Sequence, residues 1–203
     1  MKHNVLIIDD EQSVRQSLSA VLATYGFKTA TCSRAKDAIE SIQASVPDCV
    51  VLDVRMPGMS GLALQRVLAQ TAANLPVIMI TGHADIAMAV HAMRNGAYDF
   101  IEKPVDDEQL VASINAAIDQ KKNASRAGPD EQSLLARYEL LTDREKSVAD
   151  MVAEGYSSAA IASTFSISVR TVDHHRASVL AKMQATSLPQ LIRYLLTILP
   201  SKP

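Results

Sequence analysis

The sequence predicts an α/β domain on a doubly wound, five-stranded parallel sheet of order 2-1-3-4-5, joined to a small all-α domain. Three observations predict it. Four short apolar runs end in polar groups: Val5-Leu6-Ile7-Ile8 in Asp9-Asp10, Cys49-Val50-Val51-Leu52 in Asp53, Val77-Ile78-Met79-Ile80 in Thr81-Gly82, and Tyr98-Asp99-Phe100-Ile101-Glu102 in Lys103-Pro104. Short runs bounded by turn residues suit strands buried on both faces of a parallel sheet. Helix-length connections separate them, which is the βα alternation of a doubly wound fold. The C-terminal third shows only helical spacing and helix caps.

The elements follow in order. The first strand spans about 4–8, and Val14, Leu18, Val21, Leu22 and Tyr25 mark a helix near 12–25 that Gly26 ends. Phe27 to Thr31 is a second strand. It lacks terminal acids and is placed at the sheet edge, which sets the first strand beside the third. Ala35, Ala38, Ile39 and Ile42 face inward from a helix over 34–45, and Pro47 leads into the central strand at Cys49. Met56-Pro57-Gly58 breaks the chain, and Ser60 caps a helix carrying Leu62, Leu64, Val67 and Leu68. Pro76 opens the fourth strand, and Ile86, Ala87, Val90 and Met93 form a weaker stripe that Gly96 stops. After the fifth strand, Asp106 caps a helix with Leu110, Val111, Ile114 and Ile118 inward.

Residues 123–140 read as a linker, polar through Gly128-Pro129 and resuming as a short helix over 130–139. Thr142-Asp143-Arg144-Glu145 is a capping box, with Val148, Met151 and Val152 as core positions before Gly155. A short helix over 158–165 turns at Ser166-Ile167 into a second over 169–183, capped by Ser168. Val172, Val179, Leu180 and Met183 form its apolar stripe; Arg170, Asp173, His174 and Ala177 lie off it. Ser187 and Pro189 start a last helix with Leu191, Ile192, Leu195 and Leu196. Two helices joined by a tight turn, the second presenting Arg and His, have the layout of a helix-turn-helix.

Charge is uneven along the chain. The 203 residues carry a formal −2, but residues 1–122 hold 11 Lys/Arg against 14 Asp/Glu, a net of −3. Residues 155–203 hold Arg170, Arg176, Lys182, Arg193 and Lys202 against Asp173 alone, a net of +4. The basic end permits contact with a phosphate backbone, though a solvated basic face has the same composition. Cys32 and Cys49 lack metal-site spacing and suit free thiols in a reducing compartment. No apolar stretch is long enough to span a membrane and no signal peptide is visible, so the protein is expected in the cytoplasm, with no membrane partner.

The strand ends define the chemistry. In a parallel sheet they converge at one edge, where such folds place their sites. Singly, each acid reads equally well as a cap or turn residue; together, paired acids suit Mg2+. A further carboxylate can serve as nucleophile and form an acyl phosphate, with a Lys and a Thr hydroxyl holding the transferred oxygens.

These residues resemble a known family. Ile8-Asp9-Asp10-Glu11, Leu52-Asp53-Val54-Arg55-Met56-Pro57-Gly58, Thr81-Gly82-His83 and Glu102-Lys103-Pro104 make residues 1–122 similar to a two-component receiver domain of flavodoxin-like fold. Leu141 to Glu145 and Ser168 to Arg176 make residues 141–186 similar to a LuxR-type helix-turn-helix. The whole chain resembles the FixJ-type response regulators of the NarL/FixJ family. The resemblance implies that Asp53 is the phosphoacceptor, that Asp10, Asp53 and the Arg55 carbonyl bind Mg2+ with Asp9 assisting through water, and that Thr81 and Lys103 contact the phosphoryl group. It implies a cis Lys103-Pro104 bond, Phe100 as the switch aromatic, and pairing of two copies on phosphorylation through about 84–104. A sensor histidine kinase, promoter DNA and RNA polymerase are the implied partners.

For DNA contacts it implies Asp173, His174 and Ala177 at groove-facing positions, with Arg170, Thr171, Arg176 and Lys182 as further candidates. Two departures stand out. Gly155-Tyr156-Ser157 is followed by Ser158-Ala159-Ala160, where the family often has Asn-Lys-Glu. Asp173 is an unusual charge near phosphates; it either accepts from a cytosine amine or faces away. Ordinary core suffices to explain Phe100, and His83 reads as a surface residue. His174 and His175 are adjacent on a helix, so they point apart and make no metal pair.

Two other functions remain to be weighed. A Mg2+-dependent phosphatase of the haloacid-dehalogenase class resembles Asp-x-Asp after the strand, but position 55 is Arg. A phosphorylation-switched protein whose helical domain binds protein would show no salt-dependent DNA affinity. The reading carried forward is a regulator, not an enzyme.

Overall fold

The computed structural model describes residues 3–72, 74–82, 85–122 and 129–199. His83 and the stretch 123–128 lie outside the described residues. Contacts divide the chain into two units: Met1–Ala84 with Asn95–Arg126, and Asp85–Arg94 with Ala127–Pro203.

The first unit is built on five parallel strands: β1 (Asn4–Ile8), β2 (Lys28–Cys32), β3 (Cys49–Asp53), β4 (Val77–Thr81) and β5 (Asp99–Glu102). Their order is β2-β1-β3-β4-β5, as the sequence predicts. Every residue of β3 and β4 is buried, whereas β2 at the edge is mostly open. That contrast is why β3 and β4 read as unbroken apolar runs and β2 does not. The helices are α1 (Gln12–Thr24), α2 (Ala35–Ala44), α3 (Gly61–Thr71) and α5 (Asp107–Lys122), with α4 (Ile86–Arg94) in the second unit. One face of the sheet packs Val5, Ile7, Val51, Ile78, Ile80 and Ile101 against Leu18 and Leu22 of α1 and Leu110, Ile114 and Ile118 of α5. The alternate residues Leu6, Ile8, Val50, Leu52 and Met79 are equally buried and serve the other face. Both cysteines are free, and burial pushes the Cys49 thiol up to about 12.

The loop after β3 is tightly packed. Gly61 N donates to Val54 O at 2.9 Å, and a Cβ added at Gly61 would sit 1.9 Å from Asp53 O. Only a residue without a side chain lets α3 start so close to the end of β3. Gly61→Ala is therefore expected to displace the loop carrying Asp53 and to cost about 3 kcal/mol, at the upper end for overpacking. A urea-unfolding midpoint unchanged from the parent would contradict this.

In the second unit α6 (Glu131–Glu139), α7 (Asp143–Glu154), α8 (Ser158–Phe165), α9 (Val169–Met183) and α10 (Leu188–Ile198) pack with α4. Asp130, Thr142, Ser157, Ser168 and Ser187 each cap the following helix with a side-chain oxygen. Thr142 and Glu145 form the full reciprocal capping box. Leu134, Leu141, Ala149, Val179, Met183, Leu191 and Leu195 make the core. α4 lies beside α7 and α10, and Arg94 Nη2 donates to Ala153 O at 3.0 Å. Its buried residues are Ala89, Val90, Ala92 and Met93, while Ala87 is exposed. The predicted stripe is thus half displaced, because a helix reading Ile-Ala-Met-Ala-Val-His-Ala-Met offers apolar residues on every side.

Candidate functional sites at an acidic strand edge and an exposed helix face

The register brings the predicted strand ends level. Ile8 pairs with Leu52, Asp53 with Ile80 and Thr81 with Glu102. Asp9, Asp53, Thr81 and Lys103 therefore meet at one edge. Asp9 is 0% exposed and Asp53 3%. Lys103 Nζ bridges them, 2.8 Å from Asp9 Oδ2 and 2.8 Å from Asp53 Oδ1. The other oxygens are also engaged: Glu11 N donates to Asp9 Oδ1 at 2.8 Å and Arg55 N to Asp53 Oδ2 at 2.6 Å. Arg15 Nη1 donates to the carbonyls of Asp9 and Asp10 at 2.7 and 2.9 Å, fixing the loop below the site. The backbone N–H of Lys103 donates to Thr81 O at 2.7 Å, and the Lys103-Pro104 bond is cis. Thr81 is fully buried and Phe100 6% exposed, both lined up on neighbouring strands; Asp10 is exposed.

Two buried carboxylates share one ammonium, so the cluster keeps a negative excess. Burial raises the pKa of Asp53; the hydrogen bond and charge of Lys103 oppose this, the charge of Asp9 adds to it, and the net shift is upward. Burial disfavours the Lys103 ammonium, but hydrogen bonds to Asp53 and Asp9 outweigh it and raise its pKa. Among the described residues no three ligating side chains cluster as in an all-protein metal cage. A hard oxygen donor set of two carboxylates with a residual negative charge fits Mg2+, which keeps several waters and needs few protein ligands. Asp10 and the Arg55 carbonyl are the remaining oxygen donors nearby in sequence.

The second candidate site is α9. Arg170, Thr171, Asp173, His174 and Ala177 are exposed on it, and Val172, Val179 and Met183 are buried. His175 is half-buried, its ring centroid 6.3 Å from that of His174. The two rings are tilted 57° to one another. Arg144 lies 4.0 Å over the Phe165 ring, tying α7 to the end of α8. Two predicted DNA contacts have partners inside the unit. Arg176 Nη1 donates to Ser158 Oγ at 2.6 Å and lies 3.6 Å from Asp173 Oδ1. Lys182 Nζ donates to Glu145 Oε2 at 2.6 Å.

Glu145 holds more than its helix cap. Buried to 5% exposure, it accepts from Lys182 and Ser178 of α9 and from the backbone N–H and hydroxyl of Thr142. Lys182, then Ser178, hold its carboxyl down to about 2. The capping-box pattern located Glu145 on α7 but carried no sign of its partners 33 and 37 residues away. In sequence, Ser158 stands out only as a departure from the family pattern. No sequence signal places it beside Asp173 and Arg176, which lie 15 and 18 residues further on.

Comparison with known proteins identifies two domain families along the chain. Residues 5–115 match the response regulator receiver domain, and residues 139–195 match the luxR family of bacterial regulatory proteins. The chain is 42% identical over 195 residues to the transcriptional regulatory protein FixJ of Rhizobium meliloti, covering 94% of each. It is 38% identical over 192 residues to FixJ of Bradyrhizobium diazoefficiens, covering 95% of this chain and 94% of that one. The crystal structure of full-length FixJ from B. japonicum superposes with a TM-score of 0.57 at 37% identity, covering 97% of each chain. Among the described residues no helix is long and apolar enough to cross a membrane. With its receiver fold and its LuxR-type helices, the chain belongs to the NarL/FixJ family of response regulators, which are DNA-binding transcription regulators rather than enzymes.

Proposed function

We propose that this regulator is switched by phosphorylation of Asp53. A sensor histidine kinase donates the phosphoryl group, two copies of the receiver pair, and the paired helical units bind two promoter half-sites and act on RNA polymerase. The receiver is assigned to 1–122, the linker to 123–140 and the DNA-binding domain to 141–203. The observation that carries this reading is the Asp53 carboxylate, buried at the strand edge and oriented by Lys103 Nζ and Arg55 N.

In the transfer step an Asp53 oxygen attacks phosphorus, the phosphorus–nitrogen bond to the kinase histidine breaks, and its electron pair stays on the imidazole. The product is an acyl phosphate. Asp9, Asp10, Asp53 and the Arg55 carbonyl would hold Mg2+, which offsets the charge of the phosphoryl oxygens when bound. Lys103 neutralises one of those oxygens and remains tied to Asp9 through its second hydrogen bond. The Thr81 hydroxyl takes another. Movement of Thr81 frees space for Phe100 on the adjoining strand, and the surface over 84–104 changes enough to pair. Pairing raises the effective concentration of the second reading helix once the first is bound.

The test is direct. The purified chain, given Mg2+ and a small acyl phosphate, should gain one phosphoryl group at Asp53, shift to a dimer, and bind promoter DNA with a steep salt dependence. No mass gain at Asp53, or salt-independent binding, would refute the proposal.

A further inference from the structure

Asp173 is an acid on the exposed face of a helix proposed to read DNA, and it is not loose. Ser158 Oγ, at the start of α8, donates to Asp173 Oδ1 at 2.9 Å. Arg176 Nη1 donates to the same Ser158 oxygen at 2.6 Å and faces Asp173 Oδ1 at 3.6 Å. The three groups form a closed triangle across the two helices of the helix-turn-helix. Oδ1 is thereby occupied, and Oδ2 carries no hydrogen bond among the described residues. The Asp173 side chain is 55% exposed and that of Arg176 22%. The acid stands open while the cation that would otherwise reach a phosphate is folded back onto it.

We infer that Asp173 reads a cytosine in the major groove and that Ser158, with Arg176, positions its carboxylate to do so. This rests on the DNA-binding function proposed above. An ionised carboxylate only accepts. It is repelled by phosphate oxygens and by the acceptor edges of guanine and thymine, and at adenine the N7 lone pair stands beside the N6 donor. Cytosine offers an N4 amino donor with no acceptor beside it on its own major-groove edge. Fixing Oδ1 from Ser158 leaves one oxygen, in one orientation, to accept that donor. The departure at Ser158 and the acid at Asp173, which look like two losses of DNA affinity, are one device for discrimination.

The experiment selects binding sites from randomised duplex DNA with the full chain under phosphodonor, for the parent, Ser158→Ala, Asp173→Ala and Asp173→Asn. The parent should demand cytosine at one position in each half-site. Asp173→Ala should lose about 5- to 150-fold of discrimination there, and its freed Arg176 should steepen the salt slope by about 1. Asp173→Asn should lose the cytosine preference in favour of a base with an acceptor there, because with its oxygen held by Ser158 the amide presents a donor. Ser158→Ala should weaken the cytosine preference in the same direction and leave other positions alone. A brace with only a structural role would lower the melting midpoint and leave every base preference unchanged; that result, or cytosine retained by Asp173→Asn, overturns the inference. A parent that enriches no sequence overturns the DNA-reading function itself, which the parent arm reports separately.

Discussion

Replacing Asp53 by asparagine is expected to abolish the labile phosphoryl group completely and to leave promoter affinity under phosphodonor at its unphosphorylated level. The reason is geometric. Asp53 is the carboxylate that ends β3, and its two oxygens are aimed by Lys103 and by the Arg55 N–H. Asp9 lies equally close to Lys103, but it is fully buried and its Oδ1 is held by the Glu11 N–H, so it does not substitute. The same variant should also stabilise the receiver. With its pKa raised, Asp53 costs the fold free energy when it ionises, so stability falls as pH rises from the ordinary carboxylate range through the folded value. Asparagine removes that cost, and the melting midpoint at neutral pH should rise. Phosphate recovered at position 53 in undiminished yield, measured by intact mass with and without alkaline treatment, would refute the assignment.

The second large effect lies in the helical unit. Glu145→Gln should destabilise it by about 2 kcal/mol, as expected for losing hydrogen bonds to a charged group in a pair whose lysine is a third exposed. The amide keeps the shape but loses the charge-assisted bonds from Lys182 and Ser178 that join α7 to α9. In thermal unfolding followed by helical circular dichroism, the transition should fall by roughly 10 °C. Acid should mimic the substitution. The Glu145 carboxyl is held down to about 2 from 4.5, so its contribution is complete above about 4.5 and lost as pH falls from there towards about 2. Parent and variant should converge in stability across that window. Equal stability of the two at pH 7 would show that the pair contributes nothing.

Both effects bear on how much of the molecule is legible in its sequence. The sheet order and the convergence of Asp9, Asp53, Thr81 and Lys103 follow from apolar runs ending in polar groups, because parallel strands align their carboxyl ends whatever the helices do. Caps at Asp130, Thr142, Ser168 and Ser187 are equally local and equally readable. The pairs that join separate helices are not. Lys182 with Glu145 and Arg176 with Ser158 depend on how helices cross, which periodicity does not encode. Two residues that charge alone marks as DNA contacts therefore have partners within the protein. The loop packing at Gly61 was invisible for a similar reason: a glycine at a helix start says nothing of the carbonyl 1.9 Å from where its Cβ would be.

Among the described residues Glu145 is hydrogen-bonded to α9 at Ser178 and Lys182, while the exposed residues from Arg170 to Ala177 lie in the earlier turns. The Glu145 anchor and most of the face proposed to meet DNA thus occupy different turns of a single helix, with Val172 buried among the earlier ones. Its first two turns are open to exchange, so a relative's operator preference should be transferable by transplanting residues 169–177 together with position 158. The anchoring end, left untouched, would keep the recipient folded.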